Sequence, residues 1–214
     1  MSPATIAKIF RSLSDSLPDP KTELVFQDHY QLLIAVMLSA QATDVSVNRV
    51  TASLFKAAPT PEKMVKLGEK GIRKHIMSVG LFNTKAKNIL NTSRILLDVH
   101  NGEVPRTREA LEALPGVGQK TAGVVLNVAY GEATIPVDTH VYRVSNRLGL
   151  VRTKTPAETE KQLLAIVPWM FLPKAHHLLI LHGRYVCKAR RPLCVSCCVQ
   201  LLCEYKEKTA TADS

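Results

Sequence analysis

The sequence predicts an all-α protein on three observations. Apolar residues recur at helical spacing along most of the chain, no segment alternates in the two-residue rhythm of a strand, and the helical stretches are separated by Pro, Gly, Thr and Asp of the kind that start and stop helices. Ile6, Ile9, Phe10, Leu13 and Leu17 form one stripe, closed by Pro18 and Pro20. The segment from about Tyr30 to Ala40 is apolar nearly all round, which places it inside a core. Asp44 is a suitable N-cap for a third helix, and further helices are expected over 61–67, 69–79 and 84–100, the last halted by Gly102 and Pro105. Thr107 to Leu114 has the polar start and Leu111/Leu114 face of a short amphipathic helix. Gln119 to Tyr130 forms another, with Val124, Val125 and Val128 inside, and Leu114-Pro115-Gly116-Val117-Gly118 turns the chain between the two. Asp138 opens a helix to Leu148, Pro156 one to Val167, and Ala175 one ending near the cysteines. From Lys206 the tail alternates charge and is expected to fray.

Composition narrows the function. With 46% hydrophobic and 21% charged residues, a chain of 214 is expected to be a soluble globular protein that buries a core. Its 28 Lys and Arg against 18 Asp and Glu leave a net charge of +10, which suits a polyanion held partly by counterion release, nucleic acid first among them. An acidic membrane surface is disfavoured, because the basic residues do not gather on one amphipathic helix. The first residues lack the basic start and apolar run of a secretory signal, and Leu32 to Leu38 is far too short to span a bilayer, so the protein is expected inside the cell.

The turn at residues 114–118 carries the most specific chemistry. Gly116 and Gly118 flank one apolar residue, Val117, so the backbone can bend sharply and present N–H groups, backed by a helix N-terminus, to a phosphate. It is not a nucleotide-binding P-loop: Gln119 separates Gly118 from Lys120, and the preceding segment is helical. Lys120 and Asp138 then supply an amine and a carboxylate to a phosphate-bound substrate. Each also has an ordinary reading, Lys120 as a solvated lysine and Asp138 as an N-cap, although one oxygen of Asp138 can cap while the other faces positive charge on a sugar. His140, His176, His177 and His182 show no repeated ligand spacing.

All five cysteines lie between Cys187 and Cys203, an odd and crowded set that argues for a metal site rather than a disulfide framework. Cys187, Cys194, Cys197 and Cys203 give C-x6-C-x2-C-x5-C. Only Cys194 and Cys197 form a close pair of the zinc type, and the pattern also differs from the common ferredoxin spacings, so chemistry alone leaves the metal open. Cys198 reads as a small non-ligating residue. Lys188, Arg190 and Arg191 lie between the first two cysteines, where a metal would brace a loop that offers cations to phosphates; a solvated charge run is the plainer reading.

Leu114 to Ala122, Val137-Asp138-Thr139-His140, Leu38-Ser39-Ala40-Gln41-Ala42-Thr43-Asp44 and the cysteine spacing closely resemble the bacterial endonuclease III family, as do Asn101 to Pro105 and Leu181 to Tyr185. The resemblance covers nearly the whole chain. It implies a helix-hairpin-helix DNA glycosylase with lyase activity on abasic sites. A six-helix domain over 22–132 and a second helical domain from 1–21 and 133–214 would flank a DNA-binding cleft, with a [4Fe-4S] cluster on Cys187, Cys194, Cys197 and Cys203. The implied substrate is double-stranded DNA with an oxidised or fragmented pyrimidine, such as thymine glycol, or with an abasic site, met by a monomer in the bacterial cytoplasm at the nucleoid. Lys120 would attack C1′ of a flipped nucleotide to form a Schiff base, and Asp138 would stabilise the sugar's positive charge. Elimination of the 3′ phosphate would then cut the strand. By the same resemblance Gln41 fills the gap left by the flipped base and Leu81 wedges beside the opposite strand, against the bland readings of a helix-end residue and a core leucine.

Gly123, where asparagine is common, and Leu193, where a basic residue is frequent, depart from the family form. The rival within the same fold is a monofunctional adenine mismatch glycosylase, which generally lacks the hairpin lysine and carries a further C-terminal domain. The rival outside it is a non-catalytic metal-braced DNA-binding module, which gives Lys120 and Asp138 no reason to occur together.

Overall fold

A computed structural model describes residues 1–209, and no strand occurs among them. In chain order the helices are α1 (Pro3–Ser16), α2 (His29–Ser39), α3 (Asp44–Ala57), α4 (Pro61–Ile76), α5 (Phe82–His100), α6 (Arg108–Glu112), α7 (Gln119–Tyr130), α8 (Thr139–Leu148), α9 (Pro156–Ile166) and α10 (Leu172–Tyr185). Single 3-10 turns lie at Trp169–Phe171 and Gln200–Leu202. The chain divides into two compact units: Glu23–Gly131, and Met1–Thr22 joined with the chain from Glu132. The part of the tail expected to fray that follows residue 209 lies outside the described residues.

In the unit of residues 23–131, α2 is the centre because it has no polar face to expose: every residue from Tyr30 to Leu38 is buried. Asp28 starts it as N-cap, accepting from the Gln31 N–H at 2.8 Å, and α3, α5 and α7 pack around it. Thr43, not Asp44, caps α3; its extended backbone lets the hydroxyl accept from Ser46, while Asp44 falls in the first turn, where its charge suits the helix dipole. The segments expected on either side of residue 68 run on without a loop, because Gly68 at φ 69° and ψ 169° absorbs the break. Asn101 and Gly102 end α5 with positive φ.

In the other unit α10 is the buried axis. Ala175 through Gly183 are all buried, α1 brings Ile6, Ile9, Phe10 and Leu13 against the same core, and α8 crosses close by. A Cβ at Gly183 would stand 2.9 Å from the His140 Cβ and 3.0 Å from Val144 Cγ2, so glycine sets the α8–α10 approach. α10 begins at Leu172 rather than near Ala175, because Pro173 falls in the first turn, where its missing N–H costs nothing. Among the described residues no helix is long and apolar enough to cross a membrane.

Candidate functional site

The hairpin between α6 and α7 divides its labour differently from the expectation that both glycines serve the bend. Gly116 does, at φ 82°, and it also lies so close to α5 that a Cβ would stand 2.6 Å from Asn88 Nδ2. Gly118 has an extended backbone, φ −100° and ψ 179°, that any residue adopts, and nothing lies within 4 Å of where its Cβ would be. Its glycine is explained by no neighbour of its own. It is the N-cap of α7 and brings no side chain to the helix start, so no side chain caps the first-turn N–H groups. Val117 offers neither side chain nor donor: it is buried, and its N–H bonds Leu114 O at 3.1 Å. Lys120 is exposed in the first turn of α7, where the helix dipole favours a carboxylate over a cation and the local sequence provides no acidic residue.

Gln41 and Leu81 share an unusual backbone. Both lie in the left-handed region, at φ 57° and 59°, which for residues with a Cβ costs about 1–2 kcal/mol each. Leu81 is the N-cap of α5 with no side-chain cap and is 61% exposed, which rules out its reading as a core leucine. Neither its backbone nor its exposed side chain is what packing in a core would select. Gln41, also exposed, follows the end of α2 in a turn closed by Ala42 N–H on Ser39 O at 3.1 Å.

One stripe of α5 holds these pieces. Leu81 O accepts from Lys85 N–H at 3.0 Å, Lys85 Nζ reaches the end of α2, Asn88 lies against Gly116, and Thr92 Oγ1 donates to Pro115 O at 3.0 Å. Lys85, Asn88 and Thr92 went unrecognised in the sequence. The available signal was polar residues at positions 85, 88 and 92, the i, i+3 and i+7 spacing of one helix face that interrupts an apolar pattern.

In the other unit Asp138 caps α8. Its Oδ1 accepts from both His140 N–H at 2.9 Å and Val141 N–H at 2.8 Å, so the cap leaves Oδ2 out. One and two turns along α8, Arg143 donates to Cys187 O at 3.0 Å and Gly183 O at 2.8 Å, and Arg147 to Lys188 O at 2.7 Å and Ala189 O at 3.0 Å. The helix that begins at Asp138 thus grips the start of the basic loop, whose Lys188, Arg190 and Arg191 are exposed, Arg191 with φ 50°. Cys187, Cys194, Cys197 and Cys203 all line one cavity beside Leu148, His182 and Tyr205, and none is in a disulfide. Burial pushes the Cys197 thiol up to about 11 and raises Cys203 as well. His182 Nε2 lies 3.6 Å from Cys197 Sγ, and burial holds that imidazole down at about 4, hence neutral. Cys198 is exposed, next to Ser16 Oγ.

Residues 34–168 match the model of the HhH-GPD superfamily base excision DNA repair proteins. The endonuclease III of Escherichia coli K12 is 55% identical over 208 residues, 97% of this chain and 99% of that protein, and that of Rickettsia conorii is 52% identical over 205 residues, 96% and 98% of the two chains. The chain belongs to the endonuclease III family. A solved endonuclease III trapped as a covalent intermediate with DNA superposes with a TM-score of 0.90 at 44% identity, covering 95% of this chain and 96% of that one. Endonuclease III enzymes are DNA glycosylases with AP lyase activity in base excision repair, and this chain is an enzyme of that class.

An iron-sulfur centre is characteristic of the endonuclease III family, and the cysteine loop fits one. Among the described residues no three His, Cys, Asp or Glu side chains come close enough to hold a single metal ion. Cys187, Cys194, Cys197 and Cys203 line one cavity, and four thiols are the donor set an iron-sulfur centre takes.

Proposed function

We propose that this chain removes oxidised or fragmented pyrimidines from double-stranded DNA and cleaves the abasic site it makes, with Lys120 as nucleophile. The observation that carries the reading is the place of Lys120: an exposed amine in the first turn of a helix whose N-terminus is left open by Gly118, in a family with a member trapped covalently on DNA. A cation there opposes the helix dipole, so stability does not account for it.

The hairpin and α7 hold a phosphate of the damaged strand, and Lys188, Arg190 and Arg191 hold others. Bending the duplex extrudes the lesion, Gln41 enters the gap and Leu81 presses beside the opposite strand, both projecting from left-handed backbone. The unprotonated Lys120 Nζ bonds to C1′, and the glycosidic bond breaks with its electron pair leaving on the base, which takes up a proton. Asp138 Oδ2, free of the cap, offsets the positive charge that develops on the sugar. Ring opening gives the C1′ imine. A C2′ proton is removed, the C3′–O bond breaks with its electron pair leaving on the 3′ phosphate, and water releases the amine. Cys187, Cys194, Cys197 and Cys203 would hold a [4Fe-4S] cluster, which when bound braces the loop carrying the three cations. The work is done where the bacterial chromosome lies, by a monomer. Incubating the protein with duplex containing thymine glycol tests the reading: wild type yields free base and a strand ending in the unsaturated aldehyde of β-elimination, and Lys120→Ala yields no such end. Intact strands with wild type, or equal cleavage by Lys120→Ala, overturn it.

A further inference from the structure

Among the described residues Lys85 is the one Lys, Arg, Asp or Glu that is buried, yet no step of the chemistry uses it. Its Nζ donates to Leu38 O at 2.9 Å and Ala40 O at 2.7 Å, both main-chain acceptors at the C-terminal end of α2. That end has no basic residue in its last turn, so α5 supplies the cation that its carbonyls and dipole call for. The two bonds fall on either side of Ser39 and directly before Gln41, the residue at φ 57°, whose turn is closed by Ala42 N–H on Ser39 O. The Lys85 main chain serves the second strained residue, because its N–H bonds the carbonyl of Leu81, at φ 59° and without a side-chain cap.

We propose that Lys85 is a positioning residue that sets Gln41 and Leu81 in fixed relation to each other, so that both side chains enter the DNA together. This rests on the gap-filling reading of those two residues given above. A left-handed Gln41 turn has no glycine to make it cheap, and the carbonyls before it need donors once they leave the helix. Lys85 provides both donors from a single point on the helix that Leu81 starts. Burial depresses the basicity of its amine, as expected for a cation held by neutral carbonyls. Removing the ammonium frees the Gln41 turn while leaving the hairpin, Lys120 and the basic loop as they are.

Base opening reads this out. With 2-aminopurine beside the lesion in duplex DNA, Lys85→Met is expected to lower the fluorescence rise on binding and to cut single-turnover excision at least tenfold, mainly in the rate at saturation rather than in KM. Cleavage of a preformed abasic site, where no base must be extruded, is expected to fall several-fold less. Lys85→Arg, which keeps a charged donor, is expected to stay within about threefold of wild type, and Lys85→Met should cost little more once Gln41→Ala is present. Wild-type fluorescence and excision in Lys85→Met, equal losses in Lys85→Arg and Lys85→Met, or fully additive losses with Gln41→Ala each overturn the proposal. Lys85→Gln carries the same comparison should Lys85→Met fail to fold. Gln41→Ala and Leu81→Ala run alongside: if they leave the fluorescence rise unchanged, the gap-filling reading itself fails and takes the proposal with it.

Discussion

Asp138 caps α8 through one carboxylate oxygen, which leaves the other for the chemistry proposed for it. Both cap bonds fall on Oδ1, so the capping task asks only for a side-chain acceptor, whereas the task assigned to Oδ2 asks for a negative charge. Asparagine caps helices as well as aspartate does. Asp138→Asn is therefore predicted to keep its unfolding free energy within about 0.5 kcal/mol while base excision falls on the order of a hundred-fold. Asp138→Ala should lose a similar rate and about 1 kcal/mol of stability besides. Thermal unfolding and single-turnover excision on the same preparations separate the two. Lys120 predicts the opposite relation. Replacing a cation in the first turn of α7 by alanine is expected to raise stability by about 0.5 kcal/mol while abolishing strand cleavage, and a destabilised Lys120→Ala would show that the lysine has a packing role after all.

At the scale of elements, the helix, hairpin and helix of residues 107–130 were legible because turn chemistry is local: α7 runs over the expected Gln119 to Tyr130. The different tasks of the two glycines were not, since a sequence does not display φ. They separate under substitution. Gly116→Ala is predicted to cost about 2 kcal/mol, from left-handed strain and overlap with Asn88. Gly118→Ala is predicted to cost less than about 1 kcal/mol, the difference between two N-cap residues, but to weaken binding to abasic-site duplex by reducing access to the α7 N–H groups. Urea unfolding and a gel-shift titration check the pair; equal stability losses, or undiminished binding by Gly118→Ala, would count against this division. α5 was expected over 84–100 and runs over Phe82–His100, but the sequence concealed what its polar face holds. Its bonds from Lys85 and Thr92 reach carbonyls far away in the chain, and such pairings leave no local pattern beyond a polar interruption of an apolar face. The early start of α10 was hidden for another reason, as Pro173 looks like a breaker yet is harmless in a first turn.

For the whole molecule, the net charge of +10 and the cysteine cluster were plain in the sequence, but how the basic loop is held was not. Arg143 and Arg147 secure its first residues through backbone carbonyls, and the four thiols that line one cavity would anchor the rest once the proposed cluster is bound. DNA binding should respond to both parts of that arrangement. Removing one phosphate-binding cation, as in Lys188→Ala, Arg190→Ala or Arg191→Ala, should lower the slope of log affinity against log salt by about 0.9, whatever the DNA sequence. Cys197→Ser should lose the visible absorbance of an iron-sulfur centre, and with it affinity for DNA, through release of that loop. An unchanged salt slope in all three cation variants would place the phosphates elsewhere. The central claim is that the Lys120 amine becomes bonded to the sugar, and the most direct measurement is borohydride reduction of the protein mixed with abasic-site duplex, followed by peptide mapping of the adduct. The account predicts one stable protein–DNA adduct, carried by the peptide containing Lys120 and missing from Lys120→Ala. An active wild-type protein that leaves no adduct, or an adduct mapping to another residue, would contradict it.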